Sequence, residues 1–260
     1  MNLIKIDDGK YKEYENLLLD RDQVIKEADQ IWIVYQQQFG TLLTDVFEAK
    51  IECIKRKKTI AYYQKMINQG KAVDQEAMKQ WLDREMREYY DELTRMIREH
   101  KRAKDARTST PYEAQRTKEL YRRIAKMIHP DIRPETDQSG VLIDLWNRTV
   151  IAYQANNVKE LAEVEVLVRR ALKEQGIDIS KAEIPDIDEK IESLKEEIEE
   201  IKSNKPYTYL PLIENEEECR REVEKLEEEL EEYRTYQGEL DNTIFQMIGK
   251  GGVAITWQMN

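Results

Sequence analysis

The sequence predicts an all-α fold: an elongated bundle of long helices, with a helical hairpin embedded in its middle and an antiparallel coiled-coil hairpin at its C-terminal end. Three observations carry that expectation. Nine Gly and six Pro in 260 residues supply too little turn chemistry for many short strands. Charged residues reach 37% beside 40% apolar ones, against about a quarter charged in ordinary globular domains, which suits helices with a narrow buried stripe and a wide solvated face. Several long segments also repeat apolar residues at spacings of three and four.

The first section, residues 1–108, contains helical stretches over 10–39 and 41–69. Neither has an internal Pro, and Gly70 is a C-terminal stop for the second. Gly40 either ends the first stretch or bends one long helix. A third helix starts near Asp74 as its N-cap and places Met78, Leu82, Met86, Tyr89, Leu93 and Met96 on one face. Arg84, Glu85, Arg87, Glu88, Asp91 and Arg95 supply the wet side, so the section reads as an antiparallel bundle. His100 reads as a solvated helix residue.

In the second section, 109–177, Thr110, Pro111 and Glu113 form a strong helix start. Thr110 can cap, Pro111 loses nothing in the first turn, and Glu113 can reach back. That helix meets His129-Pro130-Asp131, where Pro130 must end it. After a polar loop a second helix begins near Ser139 or Gly140 and carries Trp146 and Tyr153. Two helices joined by a short loop pack antiparallel, which would leave His129, Pro130 and Asp131 at an exposed tip. Asn156-Asn157 then caps a further helix.

The third section, 178–260, holds two apolar runs. Ile187, Ile191, Leu194, Ile198 and Ile201 form one, with Asp186 and Glu189 as a carboxylate capping box; Cys219, Val223, Leu226, Leu230 and Tyr233 form the other. Pro206 and Pro211 break the chain between them, so two acidic arms are expected to fold back on each other. Short, like-charged arms should pack on the rest of the protein or pair with another copy, so a homo-oligomer through the arms is one expectation.

Composition excludes several function classes. Two His and two Cys cannot build His-rich metal cages, four-cysteine zinc sites or a disulfide framework, and neither a metal nor a cofactor is expected. No stretch approaches eighteen apolar residues, so a cytoplasmic protein without membrane attachment is expected. The KGGVAIT segment near the C-terminus lacks the Gly-Lys-Ser/Thr that would hold a nucleotide phosphate.

Charge is unevenly placed. The chain carries a net −11, yet residues 182–241 hold 22 acidic against 8 basic side chains, a net −14. Arg98 to Arg133 holds 11 basic against 5 acidic ones, a net +6. A basic middle thus precedes an acidic tail, which raises self-masking of the basic helix by the acidic arm as a hypothesis. No groove-reading motif accompanies the basic stretch and the chain as a whole is acidic, so nucleic acid is not the expected partner.

The middle section resembles the J-domain family, co-chaperone modules that stimulate ATP hydrolysis by DnaK-type chaperones of the seventy-kilodalton heat-shock class. The likeness lies in YRRIAKMIHPD: Tyr121 eight residues before His129, then Arg122, Arg123, Ile124, Ala125 and Lys126, then the tripeptide. Trp146 and Ala152-Tyr153 look like residues of the family's third helix. The match covers residues 110–156. Three departures stand beside it: the family's usual first helix is missing, with the long helix ending near Lys104 as its candidate replacement; Ile132 follows the tripeptide where a basic residue is common; and no Gly-rich linker or zinc-binding region follows.

The resemblance implies that His129, Pro130 and Asp131 dock on the nucleotide-binding domain of a DnaK-type ATPase. It also implies that the basic face carrying Arg122, Arg123 and Lys126 meets an acidic surface there. Those three cations lie within about one helical turn and would steer the approach, while Asp131 could pair with an Arg of the partner. None of this is catalysis by the chain itself, so no catalytic residue is expected. The competing expectation is a helical scaffold that uses the hairpin for packing alone, in which His129 simply ends a helix. Burial of the tripeptide discriminates the two.

Overall fold

The computed structural model describes residues 8–106, 109–177, 184–249 and 255–256. These are almost wholly helical, and the all-α expectation holds. The chain divides into two compact units, one of Met1–Gln30 with Arg107–Thr208, the other of Ile31–Ala106 with Tyr209–Asn260. The division differs from the three consecutive sections 1–108, 109–177 and 178–260. Its cause is helix α1 (Asp8–Asn68), 61 residues long, which contributes to both units.

Helix α1 continues through Gly40, the second of the two alternatives there. A β-carbon on Gly40 would lie 2.1 Å from Nδ1 of His100, so the missing side chain is what lets the imidazole approach the helix backbone. His100 is therefore not the solvated residue expected. It is half-buried, with Nδ1 2.8 Å from the Gln36 carbonyl and Nε2 3.2 Å from Thr41 Oγ1.

A two-residue strand β1 (Val73–Asp74) pairs in parallel with β2 (Ile255–Thr256). The rest of the KGGVAIT segment, residues 250–254, lies outside the described residues. Helix α2 (Gln75–Asp105) begins as expected, with Asp74 Oδ1 accepting from the amides of Glu76 and Ala77 at 3.0 and 3.1 Å. Leu82 and Met86 of its apolar stripe are buried; Met78, Tyr89, Leu93 and Met96 are half-buried.

The first unit is built around α3 (Pro111–Ile128), α5 (Gly140–Gln154) and α6 (Val158–Gln175), with a single turn α4 (Glu135–Gln138) in the loop after α3. Thr110 and Glu113 make the reciprocal capping box. Ser139 caps α5 and Asn157 caps α6, while Gly176 closes α6 in the left-handed conformation that costs glycine little. Leu120, Ile124, Ile128, Leu142, Leu161, Val164 and Val168 fill the core between them. Leu19 of α1 joins the same core.

The C-terminal region follows one expected alternative, arms that pack on the rest of the protein, and departs from the expected hairpin. Helix α7 (Ile187–Ser203) belongs to the first unit, where Ile191 and Leu194 pack on Tyr11, Tyr14 and Leu18 of α1 and on Ile132. After a 3-10 turn (Tyr207–Tyr209) and α8 (Leu210–Glu214), helix α9 (Glu216–Gly249) belongs to the second unit. There Leu226 and Leu230 pack on Tyr35, Phe39, Val46 and Ala49 of α1. The expected self-contained coiled-coil hairpin is thus corrected: each acidic arm buries its apolar stripe on a different stretch of α1. Arms carrying heavy like charge gain more against an apolar stripe than against each other. Asp186 also fails as a capping residue. Its φ of 54° is left-handed and its carboxylate makes no capping hydrogen bond.

Candidate functional site

The site is assembled at the C-terminal end of α3. Pro130 stops that helix at Ile128, and His129 becomes its C-cap, with its amide bonded to the Ala125 carbonyl at 2.8 Å. The chain then turns tightly, since the amides of Ile132 and Arg133 both donate to the His129 carbonyl, at 2.9 and 2.7 Å. Ile132 is fully buried and anchors the turn against α1 and α7.

Helices α3 and α5 lie side by side and antiparallel, because ring contacts pair His129 with Trp146 and, two turns back, Tyr121 with Tyr153. The first pair meets edge-on at 4.6 Å between centroids and the second stacks at 4.0 Å. The aromatic residues singled out in the sequence form one row, Tyr153 on Tyr121, Tyr121 on Trp146, and Trp146 on His129.

The tip they support is not open. His129 is 4% exposed. Its Nδ1 accepts from the Asp131 amide at 3.1 Å, which leaves Nε2 to carry the ring proton, and Nε2 faces Asp22 Oδ2 of α1 at 3.5 Å. Pro130 is half-buried. Only Asp131 keeps its expected exposure, with a carboxylate 49% exposed and 3.8 Å from Arg21. The expectation of three exposed tripeptide side chains is corrected for His129, and the cause is α1. The stretch of that helix from Tyr11 to Lys26 packs on the hairpin and its loop, whereas the helix ending near Lys104 belongs to the other unit.

Asp22 is the centre of this contact. Its carboxylate accepts from the Tyr121 hydroxyl at 2.6 Å and from Arg21 at 2.9 Å. Burial alone would raise its pKa; the facing His129, Tyr121 and Arg21 outweigh burial and hold the carboxyl below its usual range. Burial and the adjacent Asp22 push the Tyr121 phenol well above its ordinary value. A cavity of about 320 Å³ lies beside the pair, lined by Asp22, His129, Asp131, Trp146 and Gln154 among others.

The three cations expected to steer a partner do not share one free face. Arg122 pairs with Asp20 and Lys126 with Glu15 at 2.8 Å, both on α1. Arg123 turns to α6 and donates through Nε and Nη2 to Glu165 at 3.1 and 2.9 Å. Acidic side chains of α1 and α6 thus neutralise these three cations, and among the described residues no ion pair joins them to the acidic arms.

Asp22, Asp20 and Glu15 escaped sequence reasoning because they stand about a hundred residues from the motif. Nothing in the local spacing of α1 marks them as partners of the hairpin. Lys26 was missed for the same reason. It is 4% exposed, donates to Asn156 Oδ1 at 2.6 Å and stands 3.7 Å above the Tyr153 ring. Burial lowers its pKa to about 8.

Among the described residues no group of three or more His, Cys, Asp and Glu side chains could hold a metal ion, and no helix is long and apolar enough to cross a membrane. Cys53 and Cys219 are free thiols. No family model, no curated protein and no solved structure matches the chain.

Proposed function

We propose that this chain is a non-catalytic helical scaffold in which the J-like hairpin serves as an internal joint, fastened to α1 by its own tripeptide. The observation that carries this reading is the burial of His129 against Asp22 and Trp146. Pairing of Arg122 and Lys126 with α1 supports it, since cations already neutralised attract a distant acidic surface weakly. Leu19 sits in the core of the hairpin and Tyr11, Tyr14 and Leu18 in the adjoining cluster, so lifting α1 away would expose buried apolar surface.

The second reading is a J-domain-like co-chaperone that docks on a DnaK-type ATPase through His129, Pro130 and Asp131. The exposed Asp131 carboxylate favours it, as does the aromatic row from Tyr153 through Tyr121 and Trp146 to His129. Steady-state ATPase of the host's DnaK-type chaperone separates the two, measured with the unmutated chain and with His129→Gln. The scaffold reading expects no stimulation by either protein and a lower melting temperature for the variant. Stimulation by the unmutated chain, lost in a variant that still folds, would overturn it in favour of the co-chaperone.

A further inference from the structure

The sequence stripe on α2 accounts for one face of that helix and leaves another unexplained. Asp83, Arg87, Tyr90, Thr94, Ile97, Lys101 and Lys104 recur at alternating spacings of four and three, and all seven are exposed. Spacing of that kind lines residues up along one side of a helix. Its centre is apolar, with Ile97 51% and Tyr90 37% exposed. An exposed isoleucine one heptad from an exposed tyrosine is costly surface for a helix that is otherwise strongly polar outside.

Charge along α2 is divided about the same centre. Residues 83–93 carry five acidic and two basic side chains, a net −3, whereas residues 94–104 carry five basic and one acidic, a net +4. A parallel copy would set like against like. An antiparallel copy, with its two-fold axis between Leu93 and Thr94, sets the −3 half on the +4 half twice over.

We infer that the outward face of α2 binds the same face of a second copy of this chain, antiparallel and about a two-fold axis. In that register Tyr90 of each copy meets Ile97 of the other and Asp83 meets Lys104, while Asp91, on the flank of the stripe, stands two positions out of register with Arg98, within reach of its long side chain. The same patch serves both partners, as an isologous interface requires. Arg87 approaches Lys101 and opposes the pairing, but the complementary contacts outnumber it. Two apolar pairs bury well below the roughly 1,200 Å² of a stable interface, so the dimer is weak and depends on concentration. Its ion pairs are exposed, so it also weakens as salt screens them.

Sedimentation of the full chain at about 100 µM tests this, in roughly 0.05 M and 0.5 M salt. The expected result is a dimer fraction that falls with dilution and with salt. Ile97→Asp should weaken association at least about tenfold, as loss of a central apolar anchor does, while circular dichroism stays unchanged because the residue is exposed. Asp83→Lys should weaken it too, and Asp83→Lys combined with Lys104→Asp should restore it, because each copy then offers the reversed pair. A chain that is monomeric under all these conditions, or a dimer indifferent to Ile97→Asp, would overturn the inference.

Discussion

The Tyr121 hydroxyl donates to the Asp22 carboxylate at 2.6 Å, joining two helices whose residues stand 99 positions apart. Asp22 also faces His129 and Arg21, so a single acidic side chain of α1 holds both Tyr121 and His129 of the hairpin. The relationship makes α1 part of the hairpin's fold rather than a neighbour of it.

Replacing Asp22 with Asn should cost about 2–4 kcal/mol, because Arg21 and the Tyr121 hydroxyl lose a charged acceptor in a largely buried place. Asp131→Asn, at a carboxylate half in solvent, should cost under about 0.5 kcal/mol. The Asp22 contribution has a sign in pH. Its folded pKa lies below the unfolded one, so the stability is present above the unfolded value near pH 4 and is lost as pH falls through the folded value. Urea unfolding of both variants at pH 7 and pH 3 measures this, and Asp22→Asn should show the smaller loss on acidification.

Lys26→Met should be as stable as the unmutated chain at pH 7, or more stable, despite the loss of a hydrogen bond. The charged amine is buried with no carboxylate partner among the described residues, and Asn156 Oδ1 keeps a second donor in Thr117 Oγ1 at 3.1 Å. With a folded pKa near 8 against 10.5 unfolded, the unfolded chain holds more protons between those values. The unmutated protein should therefore gain stability as pH rises from about 8 toward 10, and the variant should lack that rise. Above pH 10 Tyr121, Tyr153 and Tyr35, all raised by burial, act in the opposite direction. Denaturation midpoints from pH 7 to pH 10 decide it.

Gly40→Ala runs against propensity. Alanine in a helix interior normally gains up to about 1 kcal/mol over glycine, yet here its β-carbon would fall 2.1 Å from the His100 ring. The substitution should cost about 1–3 kcal/mol. His100→Ala in the same chain should recover most of the loss, and a double-mutant cycle by chemical denaturation measures the coupling.

Leu230→Ala should cost about 2–4 kcal/mol, since that side chain is buried in the cluster with Tyr35, Phe39 and Leu226. An α9 that stood free of α1 would leave the residue exposed and the substitution nearly silent. Thermal unfolding followed at 222 nm distinguishes the two outcomes.

Much of this was legible in sequence, and the legible part is local. Thr110 and Glu113, Asp74, and Asn157 announced helix starts because a cap acts over two or three residues. Pro130 announced a helix end because its ring forbids the next turn. Tyr121, Trp146 and Tyr153 could be grouped because one hairpin brings them together. Asp186 failed where local reasoning assumed an ordinary backbone; a left-handed φ is not written in residue type.

Residue type and spacing are enough to read a helical chain, helix starts after Asp74, Thr110 and Asn157, a stop at Pro130, and the apolar stripes of α2, α7 and α9. What those stripes meet follows from packing alone: Ile191 and Leu226 each settle on α1, Asp22 closes over His129, and Lys126 pairs with Glu15. The physical reason is range. Hydrogen-bonded turns and caps involve residues within four positions of each other, whereas an apolar stripe is equally satisfied by any surface of the same shape, and the choice among surfaces belongs to the whole packed chain.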